Sequence, residues 1–191
     1  MLSTDGGLTF PSVLLAGTAN DGTQAVTIPN VGTTQARIKV QPSNNIFFDI
    51  GNANFTIIAV PKTTNVTSSV ANNSYGAGAS IPISVTLSAA VNVTGFPQIA
   101  LNSGGTATYA SGTGSATLIF NHTVGAGQNS ADLDYSSVAA LTLNGGTIKA
   151  VSNGADVDLA LPAPAGAGSL GFNKNIVVNT TDVPVISSIS S

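Results

Sequence analysis

Ala-Thr-Leu-Ile-Phe-Asn-His-Thr-Val, residues 116–124, alternates polar and apolar side chains along its length. Extended, it sets Leu118, Phe120 and His122 on one face together with Ala116, the signature of a strand with one buried side. Residues 80–87, Ser-Ile-Pro-Ile-Ser-Val-Thr-Leu, alternate in the same way, and Val91-Asn92-Val93 continues that run after a bulge. Around these two stretches lie further short runs at 98–101, 106–110, 156–161 and 175–178, and one at 141–151 broken by Asn144-Gly145-Gly146. Tyr109, Phe120 and Tyr135 are the expected core aromatics. Helical periodicity is nearly absent. Short β-branched runs punctuated by Gly, Asn, Asp and Pro predict an all-β chain with the strand spacing of a sandwich.

The N-terminal third has the same texture. The turn Asp5-Gly6-Gly7 precedes an expected strand at 8–15, and Asn20-Asp21-Gly22 leads into another at 23–28. Gln-Ala-Arg-Ile-Lys-Val at 35–40 directs Ala36, Ile38 and Val40 one way and Arg37 and Lys39 the other. Expected strands at 46–50 and 55–60 complete this part, and Pro61-Lys62-Thr63-Thr64 reads as a linker. The expected division is therefore 1–60, a linker at 61–64, a second domain at 65–180, and a C-terminal strand at 181–191.

Composition narrows the function classes. Hydrophobic residues make up 42% of the 191, enough to bury a core, whereas charged residues make up only 7%, far below the ~25% of an average soluble domain. All eight acids are Asp, so the surface must be built mostly from Thr, Ser, Asn and Gly. That suits extracellular β-proteins and surface repeats better than cytosolic enzymes. A net charge of −3 with five basic residues (Arg37, Lys39, Lys62, Lys149 and Lys174) offers no phosphate-neutralising patch, so nucleic acid is not an expected partner. No apolar run approaches the ~18 residues of a membrane helix. The absence of Cys removes disulfides and thiolate metal sites.

Two resemblances reach particular residues. Residues 2–58, carrying Ser3-Thr4-Asp5-Gly6-Gly7, Asn20-Asp21-Gly22, the 35–40 strand and Asn-Ile-Phe-Phe-Asp-Ile-Gly-Asn-Ala-Asn-Phe-Thr-Ile at 45–57, resemble the Ig-like domain that follows the catalytic domain of bacterial reprolysin-like metallopeptidases. The resemblance implies one or two further strands ahead of Leu2, so this domain is expected to lack its opening strands. Residues 66–182, with GGTATYASGTGSATLIFNHTV, SADLDY, ALTLNGGTIK and SLGFNKNIVVNTTDVP, resemble the SWM-type Ig-like repeat of large bacterial surface proteins. In such arrays the segment after the equivalent of Asn179-Thr180-Thr181 enters the next domain as its first strand. The implied fold is two tandem Ig-like antiparallel β-sandwich domains plus a C-terminal extension strand.

That extension, Asp-Val-Pro-Val-Ile-Ser-Ser-Ile-Ser-Ser at 182–191, has strand composition and no local partner. An extended segment needs a neighbour for its N–H and C=O groups. Val183, Val185, Ile186 and Ile189 are therefore the expected inter-subunit donor residues, entering the incomplete sheet of a neighbouring copy by donor-strand complementation. Repeated head to tail, that contact does not close and yields a filament. The expected function is thus a structural subunit of an extracellular or cell-surface fibre, with itself as partner. The alternative is a non-polymeric spacer or adhesin fragment of a larger surface protein that holds carbohydrate or protein at an exposed loop. A secreted hydrolase accessory module is a third class, and needs a catalytic domain on the same polypeptide.

Catalytic constellations are sparse. His122 is the only histidine, whereas a zinc peptidase needs two from HExxH and usually a third ligand. Without a GxSxG elbow, His122 reads as a packed strand residue and no enzyme is expected. Gly166-Ala167-Gly168-Ser169-Leu170-Gly171 matches GxGxxG formally, but Pro162-Ala163-Pro164-Ala165 precedes it and a strand-like segment follows, so it reads as a loop. No cofactor is expected. The one weak metal candidate is Ca²⁺ at Asp132 with Asp134 or at Asp156 with Asp158, helped by Asn129 or Asn153. The alternative role for these acids is turn capping and solvation. Asn54, Asn65, Asn72, Asn92, Asn121 and Asn179 begin N-x-S/T sequons, which an Asn/Thr-rich composition produces by itself.

Overall fold

The computed structural model describes residues 1–19 and 21–181. The chain divides into two compact units, Met1–Ala59 and Val60–Ser191. The regular structure of both is almost all β, in sheets that are antiparallel except for one two-stranded parallel pair in the second unit, which also holds one helical turn.

In the first unit, β1 (Leu2–Ser3), β2 (Thr33–Val40), β3 (Asp49–Ile50) and β4 (Phe55–Ile57) form a small sheet organised around β2. β1 pairs Leu2 with Ile38 and Ser3 with Arg37, while β3 pairs with Lys39 and Val40 and β4 with Thr33 and Ala36. The alternation read at 35–40 holds only near its start. Ala36 is buried, Ile38 is half-buried and Val40 is 69% exposed.

Two expected strands of this unit do not form. Residues 8–15 contribute a single bridge, Ser12 to Leu2, and 23–28 take no strand pairing among the described residues. Within 46–50 only β3 is paired, and within 55–60 only β4. The physical reason is backbone supply, because β1, β3 and β4 already occupy the partners β2 offers.

The second unit comprises β5 (Thr63–Ser68), β6 (Ser74–Tyr75), β7 (Ser80–Thr94), β8 (Gln98–Ala100), β9 (Thr106–Ser111), β10 (Ser115–Thr123), β11 (Leu141–Thr142), β12 (Thr147–Ala150), the helical turn α1 (Leu170–Asn173) and β13 (Val177–Val178). Its main sheet runs β11-β8-β9-β10-β7-β12, and β5 also pairs with β7. Residues 61–64, expected to link the domains, are built into this unit. Thr63 and Thr64 open β5, the Asp158 amide donates to the Pro61 carbonyl at 2.9 Å, and the Ser88 amide to that of Lys62 at 2.9 Å.

The 15-residue strand β7 is the spine. Its first half pairs with β5 and its second with β12, and the register against β10 slips between Thr86 and Val91. A bulge there bends the strand, so one long strand serves two stretches of a curled sheet. β11 and β12 lie at opposite ends of the strand order, yet only the turn at 143–146 separates them in sequence. That turn uses Asn144 at φ 48° and Gly145 at φ 77°, left-handed conformations that Asn and Gly adopt most easily.

The core follows from the alternation. Ile81, Ile83 and Val85 of β7 stand directly opposite His122, Phe120 and Leu118 of β10, and all six are buried. Tyr109 packs edge-on against Phe120, with centroids 5.9 Å apart. The core is closed by Leu133, Tyr135, Val157, Leu161, Leu170, Ile176 and Val178, most of which sit in loops and isolated bridges rather than long strands.

Candidate functional site

The first unit leaves most of its large apolar side chains exposed. Among its described residues only Leu2 and Ala36 are buried hydrophobics, with Ser3 the one buried polar side chain. Leu8, Val13, Leu15, Val26, Val40, Ile46, Phe47 and Phe48 are all exposed, Leu8 and Ile46 by 86% and 88%. Of these, Val13, Leu15, Val26 and Val40 lie together along one groove, and apolar side chains grouped on an exposed surface mark a binding face.

What order this unit has comes from backbone and polar contacts. The Leu2 amide donates to the Ser12 carbonyl at 2.7 Å, the Lys39 amide to that of Met1 at 2.9 Å, and the Met1 ammonium to that of Lys39 at 2.7 Å. Desolvation, aided by the nearby Lys39 charge, lowers the pKa of that terminal amine. The turn after β1 is wound around Asp5. Its carboxylate accepts from the Ser3 hydroxyl at 2.6 Å, the Thr9 amide at 3.0 Å and the Thr9 hydroxyl at 2.6 Å. These bonds, that of Ser3 foremost, hold the Asp5 carboxyl well below the usual carboxylate range. Lys39 lies between two aromatic rings, 5.1 Å from the Phe10 centroid and 5.7 Å from that of Phe48.

Beside this scaffold opens a groove of about 990 Å³, whose apolar lining includes Val13, Leu15, Val26, Ile38 and Val40. Ile38 and Val40 are placed by β2; the other three come from segments without regular pairing. A groove with apolar side chains and irregular, under-paired backbone along its rim can accept an extended apolar chain. Sequence reading did not find it, although two alternating runs lacking an obvious partner were its signal.

The expected donor residues Val183, Val185, Ile186 and Ile189 lie outside the described residues. The acidic pairs are placed differently from one another. Asp132 and Asp134 both approach Gly171, where a Cβ would fall 3.3 Å and 2.9 Å from their Oδ2 atoms. Asp134 is buried, and its carboxylate accepts from the Tyr135 and Ala165 amides, each at 2.9 Å. Asp156 instead pairs with Lys149 at 2.7 Å, and Asp158 accepts from the Ala160 amide at 3.0 Å, a turn cap. No group of three or more His, Cys, Asp or Glu side chains able to hold a metal occurs among the described residues.

His122 is buried in β10, and its Nδ1–H donates to the Thr106 carbonyl at 3.2 Å, while Nε2 has no hydrogen-bond partner among the described residues. The Gly166–Gly171 stretch runs into the helical turn α1, which takes in Leu170 and Gly171, and of the strand-like segment expected after it only β13 at Val177–Val178 is paired. Ser169 caps α1, its hydroxyl accepting from the Phe172 amide at 3.1 Å, and no strand precedes the loop. Of the sequon asparagines, Asn92 and Asn121 are exposed on strands. Asn54, Asn65 and Asn72 instead accept hydrogen bonds, from Arg37, Asn173 and Asn175.

Comparison of the chain with family models, with curated proteins and with solved structures gives no match.

Proposed function

We propose that this chain is a structural subunit of an extracellular or cell-surface filament. In this reading its two units are Ig-like β-sandwich domains, and residues 183–189 of one copy fill the groove in the first unit of the next. The observation that carries the reading is the exposed apolar groove, in a unit with two buried hydrophobic side chains among its described residues.

A fitting occupant is an extended, uncharged, apolar segment. The same chain carries one in Val183, Val185, Ile186 and Ile189. Burying those four side chains contributes roughly 6–12 kcal/mol before association and ordering costs of similar size, to which backbone pairing along the groove would add. One groove and one segment per copy make the contact heterologous, and such contacts propagate when they do not close into a ring. A chain in which 7% of the residues are charged, with a net charge of −3, adds little repulsion between copies. The role is mechanical: no catalytic step, cofactor, nucleic acid or membrane insertion enters it.

Deletion of residues 183–191 tests the proposal. Electron microscopy of the purified full chain should show threads with a one-subunit repeat, and the deleted chain only dispersed particles or amorphous aggregate. Regular threads surviving the deletion would remove the proposal. So would a full chain that stays monomeric at every concentration with its tail protected from proteolysis, because the segment would then occupy its own groove.

A further inference from the structure

Residues 23–28, Thr-Gln-Ala-Val-Thr-Ile, alternate like the paired strand β2 and lie between Asp21-Gly22 and Pro29. All six are exposed, Val26 and Ile28 included. Their amides and carbonyls take no strand partner among the described residues. The contacts they make are local: the Thr23 amide donates to Asp21 Oδ1 at 3.3 Å, the Gln24 amide group to the Ala25 carbonyl at 3.3 Å, and the Thr18 hydroxyl to Gln24 Oε1. Thr23, Gln24 and Val26 border the groove that Ile38 and Val40 also line. None of the devices that protect an open edge is present within the six, neither a charge nor a proline.

From this juxtaposition we infer that residues 23–28 are the acceptor edge of the groove, a latent strand that becomes a strand only when an extended segment pairs with it. The inference rests on the filament reading and names the backbone that receives the donor. β-Branched residues at Thr23, Val26, Thr27 and Ile28 give the stretch strand propensity; what it lacks is a partner. The incoming segment supplies that partner and lays its apolar side chains over Ile38 and Val40.

Hydrogen exchange on the full chain in filaments, compared with the chain lacking 183–191, reads the acceptor directly. Alternate amides within 23–28 should slow by about 100-fold or more in filaments. Proline scanning at Gln24, Ala25, Val26 and Thr27 supplies a second readout. Ladder pairing uses alternate residues, so one alternating pair of variants should lose assembly about tenfold and the other stay within about twofold. Filaments that form with 23–28 exchanging as fast as in the deleted chain overturn the acceptor assignment and leave the filament reading standing. Four proline variants that all assemble normally, or that all fail alike, overturn it as well. A full chain that forms no filaments overturns both.

Discussion

The backbone of Gly105 lies against the ring of His122, so closely that a Cβ at Gly105 would fall 2.4 Å from His122 Cε1. The same Cβ would meet the Gln128 amide group at 2.8 Å. His122 is buried between neighbouring strands and held through Nδ1 to Thr106, so it has nowhere to retreat. Gly105→Ala should therefore cost about 1–3 kcal/mol or more through overpacking, measured by denaturant unfolding. In a His122→Ala background the same change should cost clearly less, because the cavity accepts the methyl. Equal costs in the two backgrounds would mean that the ring is not what excludes the side chain.

Tyr135 presents a different dependence. Its hydroxyl donates to the Pro162 carbonyl at 2.5 Å, tying one loop of the second unit to another. Tyr135→Phe should lower stability by about 1–2 kcal/mol, since Pro162 loses its partner while the ring stays packed. Burial, and secondarily the charge of Asp134, push the phenol pKa upward. The unfolded chain then releases this proton at lower pH than the folded one. Stability from this group is intact below the ordinary tyrosine range near ~10 and falls as pH rises from there toward the folded value. Alkaline unfolding followed by circular dichroism checks this, with the Phe variant losing that part of the pH dependence.

Asp5 gives the opposite sign. Its folded carboxyl is held down by Ser3 and Thr9, so the unfolded chain takes up a proton first as pH falls. The turn's contribution is present above the ordinary carboxylate range and lost as pH falls through the folded value. A carboxyl-carbon NMR titration should find Asp5 still ionised at the ordinary carboxylate value near ~4. Ser3→Ala should move its midpoint upward toward the ordinary range, and a midpoint unmoved by that change would assign the depression to another cause.

How much of this was legible in the residues depends on what periodicity can report. Residues 80–87 and 116–124 declared strand and buried face together, because each has one apolar side and partners close by in the chain; Leu118, Phe120 and His122 are buried as their spacing requires. Residues 23–28 have the same texture and no strand, since alternation reports what side chains favour and not whether a backbone edge is free. Leu133 entered the core from an irregular segment that carries no period, and Val157 from the expected run at 156–161, which makes only isolated bridges at Asp156 and Asp158. α1 was missed although its cap was in view, for Ser169 stands where a helix-starting residue belongs. The expectation of a strand at 182–191 rests on composition alone, and those residues lie outside the described ones.

Val40 separates folding from assembly more cleanly than any other groove residue. It closes β2, lines the groove, and is 69% exposed although it continues the buried face begun by Ala36. A side chain so exposed contributes little to the isolated fold, so Val40→Lys should leave the thermal midpoint of the unassembled chain almost unchanged, within about 0.5 kcal/mol. In the proposed filament the donor would cover this position, and a lysine there would either lose its hydration or hold the donor away. Sedimentation of Val40→Lys should show the critical concentration for assembly rising by about tenfold or more, while Val40→Ile leaves it unchanged or lowers it. Lysine at Thr142, an exposed residue of β11 in the second unit, supplies the control for added charge. If Thr142→Lys weakened assembly as much as Val40→Lys, net repulsion would explain both, and the groove would lose its claim to the contact.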